Sequence, residues 1–268
     1  GNGREGKEGS SPGVAESLQK QMLRLKGTYM KDDGSGVDYR ALAESDEFGE
    51  YKKLATGLWE VDLGALDEAA RTAFLLNVYN ALTMHGIVYF LPAGEGTVLS
   101  VDGFWRRTAY GIGGHVYTLD EIEHGLLRCN APHPKTKLPF LGADDPRRMY
   151  VLPSLDPRIH FALNCGARSC PPIRLFRASN LDLALQMAAV SYCRSEVDVD
   201  ASTRTVATSK IFEWYGSDFG DSKTARLTRI ATYLDDEPRS ALLALVAAND
   251  SAPIEWRFND YDWNLNSA

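Results

Sequence analysis

Apolar residues at Val14, Leu18, Met22 and Leu25 repeat at helical spacing and predict a first helix, which the turn-forming run "KDDGSG" then stops. "VDYRALAES" and Phe48 to Leu58 predict short helical segments. From Leu66 to Leu91 the chain opens with acids suited to a helix N-terminus and then turns apolar on nearly every face, the pattern of a central buried helix ended by Pro92. At about 100° per residue, Phe74, Val78, Leu82 and His85 share one side of it, with Asn77, Asn80 and Met84 on a neighbouring stripe. Buried amides and an imidazole must find hydrogen-bond partners, as ties in the core or as the back wall of a site.

"RTAYGIGGHVYTL" predicts a hairpin whose glycines supply the turn. Thr118 with Glu121 three residues later is a capping box, so a helix is expected from Leu119 to about Arg128. Its apolar stripe is Leu119, Ile122, Leu126 and Leu127, with Glu123 projecting into it and His124 at its edge. A carboxylate on an inward face is costly unless paired.

"NAPHPKTKLPFLGADDPRR" reads as a loop, and "RIHFALNC" as a strand. Alternation puts His160, Ala162 and Asn164 on one of its faces, with Ile159, Phe161, Leu163 and Cys165 on the other. Further helices are expected over Ser179–Cys193, capped by Ser179 and Asp182, and over Lys223–Leu234 and Pro238–Asn249. A ribbon over Val197–Thr208 and a strand in "PIEWRF" complete the set. The order predicts an α+β fold, mostly helical with a small antiparallel sheet: one domain over 14–268 after a disordered linker or expression remnant over 1–13.

The 268 residues are 44% hydrophobic, enough for a sizeable core, and carry a net charge of −7 with scattered basic residues, which argues against nucleic acid as a partner. No run approaches the roughly 20 apolar residues that span a bilayer. Four cysteines are too few for a disulfide framework and suit a reducing compartment, so a cytoplasmic location is expected.

The chemistry concentrates in "DPRIHFALNCGARSCPPIR". Cys165 is expected at a strand end where turn amides are free to face an anion, the placement of a nucleophilic thiol beside an oxyanion hole. His124 with Glu123, His160, or His85 with Asn77 or Asn80 could supply its base, and spacing does not choose among them. Cys170, before two prolines, suits a rigid wall. A stable Cys165–Cys170 disulfide is opposed by the expected compartment, a reversible thiol switch stays open, and zinc would need two further ligands. Cys129 and Cys193 read as core residues, and His115 and His133 as solvated.

"AFLLNVYNALTMH", "TLDEIEHGLLR", "DPRIHFALNCGARSCPPI", "SKIFEWYGSDFG" and a terminal "YDWNLN", in that order over residues 28 to 265, resemble the family called domain of unknown function 547. The resemblance implies a widespread domain, sometimes fused to signalling or glutaredoxin-like modules, with recurring positions at Asn77, Asn80, Glu123, His124, His160, Cys165 and Cys170. By analogy of residue set, a papain- or transglutaminase-like thiol enzyme without cofactor or metal is the leading expectation. Cys165 would attack a carbonyl of a peptide, protein or amide substrate, with His124 as base, Glu123 orienting it, and Asn80 with turn amides holding the oxyanion. The alternatives are a non-catalytic binding or scaffold module and a redox domain cycling Cys165 and Cys170.

Overall fold

The computed structural model describes residues 11–249 and 252–268, apart from the side chains of 11–16 and 19. Residues 1–10 of the expected linker lie outside it, and helix α1 (Ser11–Tyr29) begins three residues before the expected boundary at 14. Two short helices, α2 (Tyr39–Ala43) and α3 (Asp46–Thr56), follow, the latter capped by Ser45, whose hydroxyl accepts the Phe48 N–H.

Helix α4 (Glu68–Phe90) is the axis of the fold, with Asp67 capping it through the Ala70 N–H at 2.8 Å. Fifteen of its 23 residues are buried, and α1, α2 and the segments around it bury their apolar faces against it. After the short α5 (Phe104–Arg107), strands β1 (Ala109–Ile112) and β2 (His115–Thr118) form the expected antiparallel hairpin. Gly113 and Gly114 turn it at φ +57° and +77°, a conformation glycine adopts without penalty.

The capping box at Thr118 is formed: Glu121 Oε2 accepts the Thr118 N–H at 2.9 Å, and the Thr118 hydroxyl accepts the Glu121 N–H at 3.2 Å. The helix it starts is wider than expected. Glu121–Leu127 is a π-helix, and the Arg128 N–H reaches back five residues to the Glu123 carbonyl at 2.7 Å.

The strand expected over "RIHFALNC" does not form. Asp156 accepts the N–H of Arg158 at 2.9 Å and Pro157 fixes the first position, so Pro157–Phe161 winds into a 3-10 turn and the chain leaves it in an irregular path to Cys165. Local capping has overridden a period-two pattern only eight residues long. Ile159 enters the core around α4 while Phe161 enters a second core, so this segment sits where the two meet.

That second core lies beneath α6 (Leu181–Glu196), β3 (Asp198–Asp200), β4 (Thr205–Thr208), α7 (Ile211–Trp214), α8 (Gly216–Phe219), α9 (Lys223–Ala231), α10 (Asp236–Ala247) and β5 (Glu255–Phe258). A 3-10 turn over Ala178–Asn180 precedes α6, which starts two residues later than expected and lacks the side-chain cap assigned to Ser179 and Asp182. β3 pairs antiparallel with β4, and β5 joins the other edge of β4 in parallel. The fold is α+β and mostly helical, and among the described residues no helix is long and apolar enough to cross a membrane.

Candidate functional site

A cleft of about 630 Å³ opens at the junction of the two cores. One wall is the π-helix with the loop after it, the second is the segment from His160 to Pro171, and the third is aromatic: Trp105, Trp214, Tyr261 and Trp263. Glu123, His124, His160, Cys165 and Cys170 all line it. His85 does not. It packs edge-on against Phe48 and Tyr51 and tilted against Tyr110, with Nδ1 2.7 Å from the Tyr110 hydroxyl.

Glu123 is buried, and its carboxylate accepts Tyr79 O–H at 2.9 Å and Tyr215 O–H at 2.6 Å. Burial works to raise its pKa, but the two neighbouring imidazoles and these hydroxyls outweigh it, so the carboxyl lies below its ordinary value. Both oxygens are occupied by tyrosines. The expected Glu123–His124 pairing is therefore absent, because neighbours on a helix point in different directions.

His124 is only 3% exposed and meets Arg128 instead, whose Nη1 donates to its Nδ1 at 2.9 Å. A guanidinium has no lone pair to offer, so Nδ1 is the acceptor and the ring proton sits on Nε2. Burial, with help from the Arg128 charge, brings the imidazole down to about 4. Its Nε2 is 4.0 Å from Asp120, whose own carboxyl burial and the Glu123 charge push up to about 7.

Arg128 is 1% exposed and grips Asp218 with Nε at 2.6 Å and Nη2 at 2.8 Å. Asp218 also receives His160 Nε2 at 2.8 Å. Burial opposes the ionised Asp218, but Arg128 and His160 prevail and hold its carboxyl far below the usual carboxylate range. His160 stacks on Tyr215 with ring centres 3.9 Å apart, and its Nδ1 has no partner among the described residues. A histidine that donates through Nε2 to a buried carboxylate keeps a lone pair on Nδ1, the arrangement of an oriented base.

His133, expected to be solvated, is half-buried beside His124 with ring centres 4.6 Å apart. Asn130 pins this loop by bonding both the N–H and the carbonyl of Leu141 at 2.9 Å. Asp120, His124 and His133 bring their potential ligand atoms within 4.8 Å of one another. They do not fit a metal as they stand. His133 Nδ1 accepts the amides of Lys135 and Thr136 at 3.2 and 3.1 Å, as His124 Nδ1 accepts Arg128, so both rings carry their proton on Nε2, whereas a ligating histidine donates from its second nitrogen and leaves the first free for the metal.

The cysteines depart furthest from expectation. Cys165 and Cys170 are joined as a disulfide with Cα atoms 6.4 Å apart, the pairing that composition argued against. The turn itself brings them together, closed by the Cys170 N–H on the Ala167 carbonyl at 3.1 Å. Gly166 makes it possible: φ is +86° there, and a Cβ would strike Ile87. Among the described residues no hydrogen bond joins either sulfur to a histidine, and their polar neighbour is Tyr261. Four of the turn amides are committed and do not face an oxyanion, since Gly166 donates to Asn164 Oδ1, Arg168 to the Asn264 carbonyl, Ser169 to the Asp262 carbonyl and Cys170 to the Ala167 carbonyl.

Asn80 is likewise committed, donating to the Ala162 carbonyl at 2.9 Å and accepting the Asn164 N–H at 2.8 Å. It ties α4 to the cysteine segment rather than facing a substrate. Asn77 does the same at Phe176. Cys193 is buried as expected, and half-buried Cys129 packs against the core around α4.

Sequence reasoning missed Tyr79, Arg128, Asp218 and Tyr215. Arg128 carried one usable signal, lying one turn after His124 on the same helical face. Asp218 stands in "YGSDFG", a block marked only by its place in an ordered set.

Residues 63–193, from the loop before α4 through α6, match the family described as "Protein of unknown function, DUF547". The chain carries a domain of this family. Every expected site residue falls within the DUF547 match, whereas Asp218, Tyr215 and Tyr261 come from the chain beyond it. No curated protein and no solved structure matches the chain.

Proposed function

We propose that this DUF547 domain is an acyl-transfer enzyme, a peptidase, amidase or transferase, whose nucleophile is Cys165 once an external thiol has reduced the Cys165–Cys170 bond, being itself oxidised to its disulfide. The carrying observation is the His160–Asp218 pair on the wall of the same cleft as Cys165. In this reading the Cys165 proton passes to His160 Nδ1, the sulfur bonds to the carbonyl carbon, and His160 returns the proton to the leaving amine or alcohol. Water or an acceptor nucleophile then releases the acyl group. The role first given to His124 moves to His160, because a ring held near pKa 4 with its proton on Nε2 is a poor base and a ready donor. His124 Nε2–H becomes the candidate to meet the oxyanion in place of Asn80, with Glu123 anchoring the tyrosines beside it.

An open cleft over the cysteines favours this reading over a scaffold whose polar groups only tie helices together. The comparison with papain- and transglutaminase-like enzymes rests on the residue set alone.

The test is alkylation of the reduced protein by iodoacetamide from about pH 5 to 9, with each labelled cysteine mapped by mass. Cys165 is expected to react faster than Cys129 and Cys193, whose thiols burial pushes up, Cys129 to about 11. Its pH midpoint should lie below that of an ordinary thiol and return to it in His160→Ala. Equally slow labelling of all the thiols would overturn the proposal.

A further inference from the structure

The two sulfurs of the cleft differ in their surroundings. Cys170 Sγ takes the Cys165 backbone N–H at 3.2 Å and lies 3.1 Å from the Tyr261 hydroxyl, whereas Cys165 Sγ lies 3.8 Å from that hydroxyl. Burial raises the Tyr261 phenol above its ordinary value, so it stays protonated and acts as a donor. Both cysteines are half-buried and face the cleft, within reach of a small molecule.

In thiol–disulfide exchange the sulfur better stabilised as a thiolate leaves, and its partner is attacked. Two donors converge on Cys170. We infer that Cys165–Cys170 is a reversible exchange site for a small thiol of the cleft's size, in which the incoming thiolate attacks Cys165 and Cys170 departs.

The electrons balance in two steps. The thiolate RS⁻ bonds to Cys165 Sγ as the Cys165–Cys170 bond breaks, giving a mixed disulfide at Cys165 and a thiolate at Cys170. A second RS⁻ attacks the R sulfur of that mixed disulfide, releasing RSSR and the Cys165 thiolate. Two thiols are oxidised and one protein disulfide is reduced. Pro171 and Pro172 stiffen the chain behind Cys170, and the amides of Arg168 and Ser169 hold the turn to the C-terminal segment, so the pair can reclose without refolding.

The site would also gate the acyl transfer proposed above, but the exchange stands apart from it and its test reads no turnover. The oxidised full chain is mixed with limiting reduced glutathione and quenched early with N-ethylmaleimide, and both cysteines are mapped by peptide mass. Glutathione is expected on Cys165 and maleimide on Cys170. Tyr261→Phe, which keeps the ring packed on Trp214 and Trp263, should slow reduction about tenfold by removing a donor to the leaving thiolate. Equal labelling of the two sulfurs, the reverse assignment, a Tyr261→Phe rate equal to that of the parent, or a pair reduced only under denaturing conditions would overturn the inference. Glutathione adducts on Cys165 without acyl transfer would leave the inference standing and remove only the enzyme proposal.

Discussion

His160 Nε2 stands 2.8 Å from Oδ2 of Asp218, the same oxygen that receives Arg128 Nε at 2.6 Å. One buried carboxylate thus fixes the cation that caps the π-helix and an imidazole from the 3-10 turn, and joins the two walls of the cleft. Losing it leaves a buried guanidinium without its partner.

Asp218→Asn is expected to cost about 3–5 kcal/mol in urea unfolding, since one member of a buried pair is removed. The parent should also lose stability on acidification. A carboxyl with a depressed folded pKa contributes fully above its unfolded value, here an ordinary 3.8, and that contribution is lost as pH falls further. Below about pH 4 the parent and variant curves should converge.

Asp120 and His124 should impose opposite pH dependences. His124, near 4 when folded against an ordinary 6.5, contributes stability that is full above about 6.5 and lost as pH falls to about 4, a span of about 3 kcal/mol. Asp120, near 7 when folded against 3.8, contributes stability that is full at low pH and lost as pH rises through about 7. His124→Gln should therefore leave a protein that weakens as pH rises, and Asp120→Asn one that weakens as it falls. Thermal unfolding of the two variants across that range checks the signs.

Glu123→Gln is expected to destabilise by about 1–3 kcal/mol, because Tyr79 and Tyr215 both donate and a glutamine amide offers them one acceptor and one competing donor. Equilibrium unfolding of Glu123→Gln beside Tyr215→Phe measures it. The double variant should cost less than the sum, since the hydroxyl that would clash with the amide is gone.

Asn80→Ala should behave as a structural loss. It leaves the Ala162 carbonyl and the Asn164 N–H buried without partners, at about 1–3 kcal/mol each. Hydrogen exchange should rise in the segment from Ala162 to Cys165. Full stability with lost turnover would instead return Asn80 to the oxyanion role.

The sequence by itself determined the elements whose signals are local and mutually consistent. The all-round apolar run makes α4, glycines at positive φ make the hairpin, the Thr118–Glu121 box starts the π-helix, and the spacing of the last two helices is nearly as expected. It also collected Glu123, His124, His160, Cys165 and Cys170 as unusual residues, and the fold places all five on one cleft. Tertiary structure decided what each of them meets. Asp218 lies 58 residues beyond His160 and Tyr79 lies 44 before Glu123, separations at which spacing says nothing about direction. Capping at Asp156 turned an alternating run into a 3-10 turn, and the Gly166 turn closed two cysteines that composition held apart. Short-range hydrogen bonds and apolar periodicity are written in the order of residues, but the partner of a buried charge is settled only when distant segments compete to satisfy it.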